Sequence, residues 1–388
     1  MQLSNIARNV KKTKVRIMYD LASQKQNVTG FTVGEPDFAT PTPIIDEANR
    51  YMSMGYTKYT QDIGVRDLRR AIAERYSGEL RPIDPDKEII ITCGATEALF
   101  VTMATIMNPG DEILICEPYF PCYVSQAQLC HAVPVFVPTY EENGFMPQVE
   151  DIEKCITDRT KMLLLNSPNN PTGAEINKDT LKQIADIAIQ HDLVVLSDEV
   201  YKTIRYSDCP YTSIVSLPGM AERTVVVDAF SKKFAMTGWR LGFAIGPEEI
   251  IRCMPFIHDF LVSCINGPIQ YAGAYAFRHC ADEEHTLCEI FKKRRDFVYS
   301  GANAIQGLSM IEPQGAFYAF INIKNYNMSS DDFAIALLNK YNVALVPGNG
   351  FGECGEGYVR MTYAADEAIL QKGLEGLANF TRDLRFGR

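Results

Sequence analysis

The middle of the chain alternates short apolar runs with stretches of helical periodicity. Residues 88–92 form the first such run and predict a strand, residues 93–96 predict a turn, and residues 97–107 predict a helix. Further strands are predicted at residues 112–116, 162–165, 193–196, 224–227 and 243–245. Strands that alternate with helices are typical of a mostly parallel sheet, so we predict an α/β fold.

Further elements are predicted within this alternating region and on either side of it. Helices are predicted at residues 15–22, 46–54, 65–76 and 178–191, and helical material is predicted from 248 through about 306. Residues 31–41 hold too much glycine and proline for regular structure and predict a fixed loop. Residues 314–320 and 343–346 predict strands of a second, smaller unit. Because 388 residues exceed what one hydrophobic core usually supports, we expect two domains.

The composition is that of an ordinary globular protein, with 46% hydrophobic and 22% charged residues. A net charge of -10 excludes a general basic surface for nucleic acid, so any phosphate site must be local. No apolar run approaches the length of a membrane span, and residues 1–20 lack the apolar core of a signal peptide. The 11 cysteines include no CxxC pair. We therefore expect reduced thiols in a cytoplasmic protein and no metal site.

The most specific chemistry follows the predicted strand at residues 224–227. There the chain reads SKKFAMTGWRLG from Ser231 to Gly242. Lysine can form a Schiff base with an aldehyde, and a planar guanidinium is a better fork for a phosphate than an ammonium. Lys232 and Arg240 therefore suit a phosphorylated aldehyde cofactor, and pyridoxal 5′-phosphate is such a cofactor.

Two other strand ends carry candidate chemistry. Asp198 comes two residues after a run of four apolar residues, where a carboxylate is costly to bury without a partner. A protonated ring nitrogen would be such a partner, and a helix N-cap is the alternative role. The small residues at positions 93–96 leave backbone amides free at a helix N-terminus, which favours a phosphate, although many such turns bind nothing.

Four further residues each have a structural and a functional interpretation. Phe120, just past a strand end, is either a core residue or a face for a planar ring. Asn170 lies in a proline-rich segment that either aims its side chain or forms a simple turn. Gly34 either makes a turn or lets a ligand carboxylate approach the backbone. Tyr59 either packs or offers its hydroxyl to a ligand or a partner subunit.

Residues 350–355 match the GxGxxG spacing of dinucleotide-binding sites. A helix should follow such a motif, but residues 357–363 predict a strand. We therefore interpret this segment as a turn.

Four motifs, in one order along the chain, resemble those of the class I/II aminotransferases, which are fold-type I pyridoxal-phosphate enzymes. They are Asn170-Pro171-Thr172-Gly173, Asp198 to Tyr201, Ser231-Lys232 with Arg240, and Tyr358-Val359-Arg360. The likeness runs from about Thr13 to Ala378 and is strongest to the aspartate and aromatic amino acid aminotransferases. It implies a three-layer α/β/α large domain at residues 46–285 and a smaller α+β domain formed by residues 1–45 and 286–388.

The resemblance also implies roles around the cofactor ring. Lys232 would hold pyridoxal 5′-phosphate through a Schiff base and carry the proton that moves between substrate and cofactor. Asp198 would pair with the pyridinium nitrogen. Tyr201 and Asn170 would hydrogen-bond the phenolic oxygen, and Phe120 would stack on the ring.

At the cofactor's phosphate, the resemblance implies five ligands. They are the backbone amides of Ala95 and Thr96, the side chains of Ser231 and Arg240, and Tyr59 reaching across from the other subunit. Some relatives carry serine or threonine where this chain has Ala229, so one hydroxyl is missing here. Arg360 would clamp the substrate α-carboxylate, with Gly34 and Asn170 beside it. The protein would thus be a homodimer with a shared active site.

The implied activity is transfer of an amino group from an amino acid, aspartate or aromatic, to a 2-oxo acid such as 2-oxoglutarate. The reaction would be ping-pong, through pyridoxamine phosphate. A pyridoxal-phosphate C–S β-lyase of the same fold is the alternative, although the segment from Met236 to Arg240 is more similar to transaminases. A regulatory protein with an inactive aminotransferase-like domain is disfavoured because Lys232, Asp198 and Arg360 are all present.

Overall fold

The computed structural model of the chain describes residues 3–4, 7–8, 10–207 and 209–386. Its strands are β1 (Thr29–Gly30), β2 (Ile89–Thr92), β3 (Glu112–Glu117), β4 (Val133–Pro138), β5 (Thr160–Asn166), β6 (Val194–Asp198), β7 (Thr224–Ala229), β8 (Gly242–Ile245), β9 (Tyr318–Asn322), β10 (Val343–Ala344), β11 (Val346–Pro347) and β12 (Tyr358–Thr362). Within the described residues, seven of these form the main sheet, in the order β2-β8-β7-β6-β5-β3-β4. All neighbours are parallel except those of β8, which is antiparallel to both β2 and β7. The predicted mostly parallel sheet is confirmed.

The main sheet is covered by helices on both faces. Successive side chains of a strand point to opposite faces, and along β3 Ile113 and Ile115 pack in one apolar cluster while Leu114 packs in another. The described helices of eight or more residues are Lys14–Ser23, Thr42–Ser53, Arg66–Ser77, Gly94–Ile106, Cys122–Leu129, Lys178–Gln190, Pro255–Val262, Gly267–His279, Ala281–Ala304, Ser330–Tyr341 and Glu367–Phe386. Shorter helices lie at Val149–Cys155, Phe230–Lys233 and Glu248–Ile251. Among the described helices, none is long and apolar enough to cross a bilayer.

A second core lies beside the main sheet. It is built around an antiparallel sheet in the order β11-β12-β9, and a parallel pair of β1 with β10. The predicted strand at 343–346 is interrupted at Leu345, because β10 and β11 pair with different partners. The strand predicted from residue 314 begins only at Tyr318, since Ala316 adopts a left-handed backbone with φ of 57°.

The structure corrects the turn predicted at residues 93–96 and agrees with the turn predicted at residues 350–355. The turn predicted at residues 93–96 was too long, because the helix begins at Gly94, where a φ of 73° lets the chain change direction at once. Ala95 and Thr96 therefore lie in the first helical turn. Residues 350–355 do form a turn, with a short 3-10 segment at Glu353–Gly355, and β12 follows it.

A buried ion pair anchors the connection from β7 into the helix Phe230–Lys233. Lys233 Nζ lies 2.6 Å from Asp228 Oδ2, and both side chains are fully buried. Tyr76 donates its hydroxyl to the same carboxylate oxygen, and the Ala229 amide donates to Asp228 Oδ1 at 2.6 Å. Removing one partner would leave the other charge buried without compensation.

We predict that Lys233→Met lowers the free energy of unfolding by about 3 kcal/mol or more, because Asp228 is left unpaired. Urea denaturation followed by circular dichroism measures this. Lys182→Met is the matched control, since Lys182 and Asp179 form an exposed pair, and it should change the free energy by less than about 1 kcal/mol. Equal effects of the two variants would contradict the prediction.

Candidate active site

A cavity of about 280 Å³ lies where the parallel strands end, between the main sheet and the second core. Ligand sites of open α/β sheets form at this edge. Of the residues singled out from the sequence, those that line it are Gly34, Ala95, Thr96, Phe120, Asn170, Asp198, Tyr201, Ser231, Lys232, Arg240 and Arg360. Tyr59 does not line it. Its side chain is 90% exposed and borders a separate surface depression with Tyr56 and Tyr271.

Lys232 reaches the cavity from the short helix that directly follows β7. Its Nζ donates a hydrogen bond to the carbonyl oxygen of Gly34 at 2.6 Å. Burial lowers the pKa of the Lys232 amine to about 8, with Glu35 raising it and Arg240 and Arg360 lowering it further. A substantial fraction of the amine is therefore uncharged and nucleophilic near neutral pH.

Asp198 is the last residue of β6 and is 3% exposed. Its Oδ2 accepts from the Tyr123 hydroxyl at 2.6 Å, and its Oδ1 accepts from the Val200 amide at 3.3 Å. Burial raises the pKa of this carboxyl to about 6, although both hydrogen bonds lower it. The alternative role as a helix N-cap was wrong, because the residues after Asp198 form turns and not a helix.

A candidate anion-binding corner lies at the N-terminus of the helix Gly94–Ile106. Arg240 Nη1 donates to the Thr237 carbonyl at 3.1 Å and Nη2 to the Cys93 carbonyl at 3.4 Å, which places the guanidinium against this terminus. A methyl group on Gly94 would come within 2.6 Å of Arg240 Nη2, so a larger residue at position 94 would push the guanidinium away from this terminus. Free amides, a guanidinium and the nearby Ser231 hydroxyl form a suitable donor set for a phosphate.

Arg360 lies on β12 and is 1% exposed. Its Nη1 donates to Asn170 Oδ1 at 3.0 Å and its Nη2 to the Thr32 carbonyl at 2.5 Å. Both acceptors are uncharged, and the buried Nε has no hydrogen-bond partner. A buried cation held only by neutral groups is costly, so the arrangement favours binding of an anion.

Several lining residues were not identified from the sequence. Tyr123 lies three residues after Phe120, and nothing in the sequence pattern marked it. Tyr318 begins β9, and its hydroxyl lies 2.7 Å from the Tyr201 hydroxyl. Both tyrosine side chains are buried. Val15 and Leu99 add apolar surface to the cavity.

Several other arginines pair with carboxylates away from the cavity. Arg205 forms a two-pronged pair with Glu175, Arg223 pairs with Asp192, and Arg278 pairs with Asp67 and Glu74. The guanidinium groups that line the cavity belong instead to Arg240 and Arg360. Among the described lining residues of one chain, those two are the arginines available to a ligand.

The donor set fits a flat aromatic aldehyde that carries a phosphate. Lys232 supplies an amine with a lowered pKa, and the corner beside Arg240 supplies the phosphate donors. The buried Asp198 carboxylate gains from a protonated ring nitrogen, since its present partners are neutral. Arg360 remains for the carboxylate of a second ligand. Within the described residues, no cluster of side chains suited to a metal ion was found.

The chain is similar over nearly its whole length to several known proteins. The family model described as "Aminotransferase class I and II" matches residues 26–377. An aspartate aminotransferase of Pyrococcus abyssi is 40% identical, over 99% of both chains. An aromatic-amino-acid aminotransferase of Thermococcus litoralis is 38% identical, also over 99% of both chains. The crystal structure of an aromatic aminotransferase from Pyrococcus horikoshii has a TM-score of 0.91 and 38% identity, and covers 96% of this chain and 99% of that one.

The lowered pKa of Lys232 can be tested by chemical modification. In protein treated to remove any bound aldehyde, acetylation of Lys232 should rise with pH around a midpoint near 8, because only the uncharged amine reacts. Mass spectrometry of the peptide that contains Lys232, over pH 6 to 11, measures the midpoint. A midpoint near 10.5, the ordinary value for lysine, would contradict the account.

Proposed function

Because the chain belongs to the class I and II aminotransferases and is itself an aminotransferase, we propose that its cavity binds pyridoxal 5′-phosphate. The observation that carries this proposal is the convergence of Lys232, Asp198 and the corner beside Arg240 on one cavity. When bound, the cofactor supplies an electron sink for the pair of electrons released at the substrate α-carbon. The chain's own residues bind it, orient it and move the proton.

Each predicted residue has a proposed part in holding the cofactor. Lys232 Nζ would bind its aldehyde carbon, and Asp198 would hold its ring nitrogen protonated. Tyr201 and Asn170 would donate to the phenolic oxygen, and Phe120 would lie against the ring. The amides of Ala95 and Thr96, together with Ser231 and Arg240, would bind the phosphate; Ala229 contributes no hydroxyl there.

Substrate binding is proposed to depend on Arg360. Its guanidinium would take the α-carboxylate of the amino acid in a two-pronged contact, close to Gly34 and Asn170. Once the substrate is bound, Lys232 Nζ can accept the proton of the α-carbon, since its pKa of about 8 is close to physiological pH. The protein acts on amino acids and 2-oxo acids, and we propose aspartate or aromatic donors with 2-oxoglutarate as acceptor.

The proposal also covers the assembly of the protein, its domains and its location. We propose a homodimer in which Tyr59, 90% exposed in one chain, reaches the phosphate of the other subunit. We further propose a large domain at residues 46–285 and a small one from residues 1–45 and 286–388, of which 1, 2, 5, 6, 9, 208, 387 and 388 lie outside the described residues. All 11 cysteines are free, which supports a cytoplasmic location.

The proposal is tested with purified protein loaded with pyridoxal 5′-phosphate. We expect a visible absorption band that Lys232→Ala abolishes and Lys182→Ala leaves unchanged. Aspartate or phenylalanine with 2-oxoglutarate should yield glutamate with parallel double-reciprocal plots, as ping-pong kinetics requires. Pyruvate release from cystathionine, without formation of pyridoxamine phosphate, would show a C–S β-lyase instead. Absence of a band in the unsubstituted protein would refute cofactor binding.

We predict that Arg360→Met raises the KM for the amino donor by roughly 10² or more, because a buried charge-assisted contact to the α-carboxylate is lost. Cofactor absorbance should persist, since Arg360 lies at the substrate end of the cavity. Arg223→Met, which removes an arginine paired elsewhere, is the control. An unchanged KM in Arg360→Met would contradict the assignment of the carboxylate site.

A further inference from the structure

Tyr318 contacts three residues that are assigned to the reaction, although no motif marks it. It begins β9, where it is 1% exposed. In the antiparallel pair of β9 with β12, Arg360 lies opposite Phe320, so Tyr318 is its diagonal neighbour on the same face. The guanidinium carbon of Arg360 accordingly lies 4.6 Å from the centre of the Tyr318 ring. The ring of Tyr318 thus packs against the guanidinium that is proposed to bind the substrate carboxylate.

The hydroxyl of Tyr318 extends from Arg360 towards the proposed cofactor site. It lies 2.7 Å from the hydroxyl of Tyr201, and the two rings meet edge to face at 84° with 5.7 Å between their centres. Gly34 makes this position possible, because a methyl group on residue 34 would overlap the Tyr318 hydroxyl. Gly34 therefore leaves room for a tyrosine hydroxyl, and its carbonyl oxygen accepts a hydrogen bond from Lys232 Nζ.

The number of hydrogens limits what these two tyrosines can do. Each hydroxyl has one hydrogen to donate and two lone pairs that accept. If Tyr201 donates to Tyr318, its only hydrogen is used and none is left for a ligand. If Tyr318 donates to Tyr201, the Tyr201 hydrogen is free to point into the cavity. The direction of this single hydrogen bond therefore decides whether Tyr201 can act as a donor.

The charge of Arg360 favours the second direction. The guanidinium packs on the ring of Tyr318, and a nearby cation makes a phenol a stronger acid and a better hydrogen-bond donor. Burial raises the pKa of both tyrosines. Arg360 opposes this rise in both, as the second-largest cause for Tyr318 and as the last of the causes for Tyr201. The hydroxyl of Tyr318, as the more acidic of the two, is therefore the better donor in this pair.

We propose that Tyr318 is a positioning residue, which donates its hydroxyl hydrogen to Tyr201 and so directs the Tyr201 hydrogen towards the phenolic oxygen of the cofactor. This inference rests on the proposed function, in which Tyr201 is a ligand of that oxygen. A donor at the phenolic oxygen stabilises its ionised form and thereby lowers the pH at which the bound cofactor loses its proton. Tyr318 acts on that pH only through Tyr201.

The test measures the pH midpoint of the visible absorption band of the cofactor-loaded protein without substrate. Tyr318→Phe should raise the midpoint by about half to one pH unit, the size expected for one weakened hydrogen bond. Tyr201→Phe should raise it at least as much, and Tyr318→Phe should then have no further effect in the Tyr201→Phe background. Tyr363→Phe is the control, because Tyr363 is also buried but donates to the Ala316 carbonyl at 3.2 Å.

A shift caused by Tyr318→Phe that persists in the Tyr201→Phe background would overturn the proposal, as would no shift in the single variant or an equal shift in Tyr363→Phe. Gly34→Ala provides a second variant, because its methyl group displaces the Tyr318 hydroxyl without altering either tyrosine, and it should shift the midpoint upward. If the unsubstituted protein shows no visible band, the proposed function fails instead. The KM for the amino donor should change less than twofold in Tyr318→Phe, since the ring beneath Arg360 is kept.

Discussion

The structure depends on one electrostatic constraint, which is that ionisable groups are buried around a single cavity with only neutral groups as hydrogen-bond partners. Arg360 is held by an amide oxygen and a backbone carbonyl, Asp198 by a phenol and a backbone amide, and Lys232 by a backbone carbonyl. Burial disfavours the charged form of each, and it shifts all three pKa values in the corresponding direction. Ligands that bring the opposite charges relieve this cost, which links the fold to the chemistry.

The main sheet and the second core position these groups on different sides of the cavity. Parallel strands end at one edge of the main sheet, where β6 presents Asp198 and the helix after β7 presents Lys232. The antiparallel sheet of the second core presents Arg360 from β12 and Tyr318 from β9. The loop after β1 joins both sides, since the carbonyl of Thr32 accepts from Arg360 and that of Gly34 accepts from Lys232. The proposed substrate and cofactor sites thus draw on separate sheets.

Much of the fold and most of the site could be predicted because they depend on local sequence. Short apolar runs identified the strands β2, β3 and β5 to β8, and the residue types at their ends identified Asp198 and Lys232. Strand β4 was not predicted: Pro134 and Pro138 interrupt its apolar pattern, which is tolerated because it is an edge strand. Tyr318 was missed because a predicted strand does not tell which of Phe317 and Tyr318 faces a ligand. The proposed role of Tyr59 depends on a second subunit, which the sequence of one chain does not position.

Lys232 is the residue proposed to bind the cofactor, and a reduction experiment tests this most directly. The protein is mixed with pyridoxal 5′-phosphate, reduced with borohydride and digested, and the modified peptide is sequenced by mass spectrometry. We predict the reduced cofactor on Lys232, with Lys233 unmodified because it is buried in its ion pair with Asp228. The account would be contradicted if the reduced cofactor were found on Lys233 or on surface lysines while Lys232 stayed unmodified. It would also be contradicted if no lysine were stably modified.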